Sequence, residues 1–266
     1  MDDNLWYACL CKAMSELSAG RAITFAIVIS ACGGSAAPRA PSDAGVEPEY
    51  LVETPHRAGT ELERCAEAGS GSADSIADVI AQLNALPDPS VPCLVASLPR
   101  PFGVVASSSL LSAQPAESEA SPRIFVMQPG MVLTVVPDGE GASAVELGQW
   151  VTPTRTLKAE VKFPLTLPID DTAVYAHILY WEEQTVCAQC HRKEERSEHG
   201  RRTFVSEALR PDPSTYVSLL ALRREHEACV LTEDASDRCN LYHALFDFGD
   251  VAAAEFSPEV RVFGVR

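Results

Sequence analysis

Residues 123–137 read RIFVMQPGMVLTVVP, two short runs of Ile, Val, Phe, Met and Leu interrupted by Pro129 and Gly130. Runs of about five β-branched and aromatic residues, punctuated by turn residues, have the pattern of strands. The pattern continues on both sides. FGVVASS (102–108), AVELGQW (144–150), TLKAEVKFPLTLP (156–168) and YAHILYW (175–181) are predicted strands. Within them KAEVKFPL (158–165) alternates apolar and polar, as a half-exposed antiparallel strand should. The strand pattern occupies the chain from about Leu94 to Trp181, with the polar stretch 112–122 as a loop.

Helical spacing flanks this region. Ile76, Val79, Ile80 and Leu83 recur at three- and four-residue intervals, with Ser72 or Asp74 as the cap and Pro87 as the stop. Residues 213–229 place Val217, Leu220 and Ala221 on one helical face, with Ser214 as N-cap. Residues 236–249 place Leu241, Leu245 and Phe248 on another, between Ser236 and the terminating Gly249. The expectation is an α+β fold: an antiparallel, sandwich-like β core, a helix before it and helices after it.

The N-terminus predicts where the chain resides. The apolar run 22–29 follows Arg21 and has the length of a signal-peptide core, well short of the roughly 20 residues a spanning helix needs. Ile29-Ser30-Ala31-Cys32 resembles the lipobox of bacterial lipoproteins. The resemblance implies cleavage before Cys32, lipidation of that cysteine, and attachment to the cell envelope, with the outer membrane as destination. Asp2 and Asp3 suit a leader poorly, so Met14 is the expected start. Residues 33–49 are rich in Gly, Ala, Ser and Pro and cannot bury a core, as a tether should not. The expected organisation is therefore a leader at 1–31, a lipid-anchored tether at 32–60, a helix-plus-β region at 61–186 and a helical C-terminal part at 187–266 packed on it.

From Cys32 onward the chain carries 34 acidic and 19 basic side chains, a formal charge of −15. A surface of that sign argues against nucleic acid as a partner class and would steer positively charged redox partners toward it, while its first reading is simply solubility. Six cysteines remain beyond the anchor. Cys65 and Cys93 bracket the first helix, and Cys229 and Cys239 bracket an acidic loop between the last two. In an oxidising compartment each pair is expected to form a disulfide.

That leaves Cys187 and Cys190, in the sequence TVCAQCHRKEERSEHG (185–200). Two thiols two residues apart, with His191 adjacent, can present both sulfurs and an imidazole to one edge of a porphyrin. CAQCH resembles the haem-attachment motif of c-type cytochromes. The resemblance covers five residues and implies one covalently bound haem c, with Cys187 and Cys190 as thioether sites and His191 as proximal iron ligand. The region around the motif departs from the family, because a long β region precedes it and no methionine follows it. His199, His226 and His243 are the downstream candidates for the sixth ligand, with His226 and His243 preferred, while Met127, Met131 and His177 lie upstream.

Three other readings of the motif stand beside haem. Cys187, Cys190, His191 and His199 have ligand types that suit zinc. The two cysteines could be a redox dithiol, or a plain disulfide within a structural or binding lipoprotein that holds no cofactor. No phosphate-binding loop, nucleophile elbow or H-E-x-x-H pair occurs, and paired acids such as Asp170-Asp171 suit a solvated face, so hydrolytic activity is not expected.

Overall fold

The computed structural model describes residues 61–69, 71–181, 183–198, 200 and 202–264. The leader, the tether with Cys32, and His199 lie outside the described residues.

Three short helices open the fold: α1 (Glu61–Glu67), α2 (Ile76–Ala85) and α3 (Val91–Ser97). The Cys65–Cys93 disulfide ties α1 to α3. α2 is capped by Ser75, one residue after Asp74 and three after Ser72, the two expected caps. Ser75 accepts the Asp78 N–H, and the Asp78 carboxylate accepts the Ser75 N–H together with the Ser72 hydroxyl and the Asp74 N–H. Residues 91–97, which the sequence pattern assigned in part to the strand region, are helical. Ser90 caps them and Pro92 sits in the first turn, where its missing N–H costs nothing.

The strands follow as β1 (Phe102–Ser107), β2 (Arg123–Gln128), β3 (Met131–Val135), β4 (Ala144–Thr152) and β5 (Arg155–Lys162). They form an antiparallel meander in which each pairs with the next. Pro129 and Gly130 make the β2–β3 turn, and Gly130 lies so close to the Asp74 main chain that any side chain there would collide with it. The expected strand at 175–181 is only partly one. Ala173–Ala176 forms the single turn α4, and Leu179–Trp181 (β6) pairs with Gln184–Thr185 (β7).

The C-terminal part is built into this sheet. β8 (Glu195–Arg196) and β9 (Phe204–Glu207) extend it beyond β5, while β11 (Tyr216–Val217) and β12 (Val251–Ala253) both pair with β1. The result is a nine-stranded, predominantly antiparallel sheet among the described residues. A short parallel ladder of β10 (Leu209–Arg210) and β13 (Arg261–Val262) lies apart from it. The expected α+β architecture with an antiparallel core is present.

α5 (Leu219–Thr232) starts five residues after its expected cap. Pro213–Thr215 forms a 3-10 turn, Tyr216-Val217 is claimed by β1, and Ser218 caps the helix. Its buried face is consequently Leu222, His226 and Cys229, and Leu220 is 59% exposed. α6 (Asp237–Phe246) matches its expected Ser236 cap, and Cys229–Cys239 staples the α5–α6 turn.

The pleat divides the sheet into two chemically different faces. Ile124, Val126, Leu133, Val145, Leu147, Leu157 and Val161 face the helices in the main apolar core. On the other face, register places Phe125, Thr134, Glu146 and Glu160 in one row, and Gly148 opposite Lys158 in the next. That second face carries the candidate site.

Candidate functional site

Above the second face lies a cavity of about 740 Å³, within the size range of small-ligand and cofactor sites. Its floor includes Phe125, Val132, Glu146, Trp150 and Lys158, and its rim includes Cys187, Cys190 and His191. Gly148 leaves the floor low opposite Lys158, since a Cβ there would press on the Val132 side chain at 3.0 Å.

The motif turn is held from both ends. Thr185 is buried and its hydroxyl accepts the Cys187 N–H at 3.1 Å. The Glu194 carboxylate in turn accepts the Thr185 N–H and hydroxyl at 2.7 and 2.6 Å. Residues Val186–Gln189 form a 3-10 turn, and the Cys187 carbonyl accepts from both Cys190 and His191 N–H. One helical turn thus brings Cys187 and His191 to the same cavity wall.

His191 is oriented by the end of β9. Its Nδ1 lies 2.8 Å from the Glu207 carbonyl oxygen, which can only accept, so Nδ1 carries the proton. The lone pair is therefore on Nε2, which has no hydrogen-bond partner among the described residues. Lys158 Nζ stands 3.3 Å from Nδ1 but cannot donate to a nitrogen that already bears a proton. Glu207 is itself fixed: its N–H donates to the Arg192 carbonyl, and its carboxylate pairs with Lys193 at 2.8 Å and Arg261 at 3.1 Å.

Although edges of Cys187 and His191 touch solvent, their titrating groups are desolvated. Burial, with the Lys158 charge adding to it, pushes the His191 pKa well below the usual imidazole value, so the ring is neutral. Burial also pushes the Cys187 thiol up to about 12, only partly offset by Lys158. Lys158 falls to about 8 for the same reason. The floor carries one close ion pair, Arg123–Glu146 at 2.5 Å. Arg123 Nε and Thr156 Oγ1, both of cavity-lining residues, are buried without a partner among the described residues. Buried polar groups left open in this way mark a place where a ligand's own polar atoms are expected.

The cysteines divide differently from any simple dithiol reading. Both expected flanking disulfides are formed. A Cys187–Cys190 disulfide is not: Cys187 is a free thiol, while Cys190 is disulfide-bonded. A redox dithiol, a zinc clip and a second thioether would each require Cys190 to be reduced first.

The structure does not bring the expected sixth ligands to His191. His226 and His243 sit on α5 and α6, neither lines the cavity, and both are bonded to Asp247. Met131 is buried in the core on the helix-facing side. Met127 packs in a small apolar cluster with Phe125 and Trp150. Of the upstream candidates only His177 lines the cavity, 3.1 Å from Glu160. Lys158, Glu194, Glu207 and Thr185 were not predictable as site residues, because each acts through tertiary register that no local spacing encodes. The alternation of KAEVKFPL was the one available signal, since it put Lys158 and Glu160 on a common face.

Compared with protein-family models, curated proteins and solved structures, the chain has no match.

Proposed function

We propose that this is an exported, lipid-anchored protein carrying one covalently bound haem in the cavity, for electron transfer or redox sensing at the cell envelope. The observation that carries the reading is the pairing of a free Cys187 thiol with an oriented, neutral His191 on the wall of one cavity.

The residues fit the group in three respects. His191 offers Nε2 as an iron ligand, with Nδ1–H anchored to a main-chain carbonyl in the manner that fixes ligating imidazoles. Cys187 offers a thioether position. The cavity has the volume, the aromatic wall (Phe125, Trp150, Phe256) and the cations Lys158, Lys162 and Arg210 to hold a flat apolar ring bearing carboxylates. Cys190 fits only in part, because its sulfur must be released from its disulfide before it can form a second thioether. The reading therefore rests on Cys187 and His191.

When bound, haem iron supplies a one-electron couple whose potential follows ligand identity and burial. The chain's part is to keep His191 neutral, to hold Lys158 beside it as a fixed cation, and to exclude water with Trp150 and Phe256. Export and the anchor are supported by Ile29-Ser30-Ala31-Cys32 and by two disulfides, which belong to oxidising compartments. No helix among the described residues is long and apolar enough to cross a membrane, so attachment falls to Cys32 in this reading.

The test is an absorption spectrum before and after dithionite, on protein from a host with haem-maturation machinery. A sharp reduced α-band, lost in His191→Ala, supports the proposal. A colourless, iron-free protein overturns it in favour of a non-haem binding lipoprotein.

A further inference from the structure

We infer that His226, His243 and Asp247 form a divalent transition-metal site of the zinc class, independent of the cavity and of its cofactor. Along the α5–α6 pair, His226 and His243 each sit about one helical turn from the Cys229–Cys239 staple, and Asp247 about two. His226 comes from α5, His243 from the last turn of α6, and Asp247 is the residue that ends α6.

One carboxylate joins both rings. His226 Nε2 lies 2.7 Å from one Asp247 oxygen and His243 Nδ1 lies 2.7 Å from the other. The ligand atoms of all three residues fall within 4.8 Å of one another. The imidazoles meet edge to face, with centroids 5.2 Å apart, so their nitrogens converge and the rings do not stack. Two imidazole nitrogens and one carboxylate oxygen are the donor set of three-ligand zinc sites, in which water fills the fourth position.

The surroundings favour a cation. Both imidazoles direct a ring nitrogen at the two oxygens of the one Asp247 carboxylate. The end of α6 adds the negative pole of the helix. His226 is buried, which fixes one ligand, whereas His243 and Asp247 are partly open and give an ion a way in. Zinc bonds of about 2.0–2.1 Å place tetrahedral donors roughly 3.3 Å apart. Binding therefore widens each present contact by only about 0.6 Å and requires the ligating ring nitrogen of each histidine to be free of its proton.

The test uses the haem-free full chain and two probes, Zn²⁺ by titration calorimetry and Co²⁺ by visible absorption. The expected result is one ion per chain, Co²⁺ bands of a tetrahedral nitrogen–oxygen site without thiolate charge transfer, and a rise in Tm with Zn²⁺. His243→Ala, the partly exposed ligand, should weaken binding by about 100-fold or more, and Cys187→Ser should leave it unchanged. If His226→Ala fails to fold, His243→Ala still decides. No binding, or binding lost in Cys187→Ser and kept in His243→Ala, overturns the inference. Neither outcome bears on haem, which is read by its own spectrum.

Discussion

His191 donates its Nδ1 proton to the main-chain carbonyl of Glu207 across 2.8 Å, which joins the motif turn to the end of β9. The fifth residue of CAQCH cannot choose its own tautomer. The sheet chooses it, and the choice leaves Nε2 open on a ring that burial keeps neutral.

The Cys187 thiol should be inert in the folded, haem-free protein. With its pKa near 12, its thiolate fraction at pH 8 is roughly 1000-fold below that of an ordinary cysteine. Reaction with a disulfide reagent should be slow in buffer and fast in denaturant. Rapid modification of native protein would contradict the burial described.

Lys158 should make stability depend on pH in the alkaline range. Its folded value of about 8 lies below its ordinary 10.5, so between these the unfolded chain binds more protons. Stability of the haem-free chain should therefore rise from about pH 8 to 10.5, by roughly 3 kcal/mol at most. Below pH 8 the burial penalty is fully present. Lys158→Met should remove the rise and stabilise the protein at pH 7, as urea unfolding across pH would report.

Arg100 holds the end of α6. Its guanidinium donates to the Ala244 and Leu245 carbonyls at 2.6 and 2.7 Å while stacking on Phe102 at 3.7 Å. These carbonyls belong to buried residues and have no later helical turn to donate to them. Arg100→Met should cost about 2–3 kcal/mol in chemical unfolding. A loss below about 0.5 kcal/mol would show that the carbonyls find other donors.

The two disulfides should contribute unequally. Cys65–Cys93 closes a separation of 28 residues and Cys229–Cys239 one of 10. On the chain-entropy account, removing the first as a double Ala variant costs about 3.5 kcal/mol and the second nearer 3. Unfolding midpoints of the two double variants measure the order.

How far the sequence could be read depended on how local each signal was. The meander from β1 to β5 was legible because its pleat alternates and its turns carry Pro and Gly. The caps of α2 and α5 were misplaced because Ser72, Ser75, Ser214 and Ser218 all have the capping side chain, and only tertiary pairing of Tyr216-Val217 with β1 decides between the last two. The disulfides at Cys65 and Cys229 were legible from bracketing. The oxidised state of Cys190 was not, and neither was the gathering of His226 and His243 onto Asp247, since their separation of 17 residues carries no local pattern.

The most direct test of the haem proposal is the intact mass of the mature protein after denaturation and acid–acetone extraction, for wild type and Cys187→Ser. A mass increment of one haem that survives extraction in wild type and vanishes in Cys187→Ser is the predicted result. An unextended polypeptide mass in wild-type protein, produced in a host that attaches haem, would contradict it.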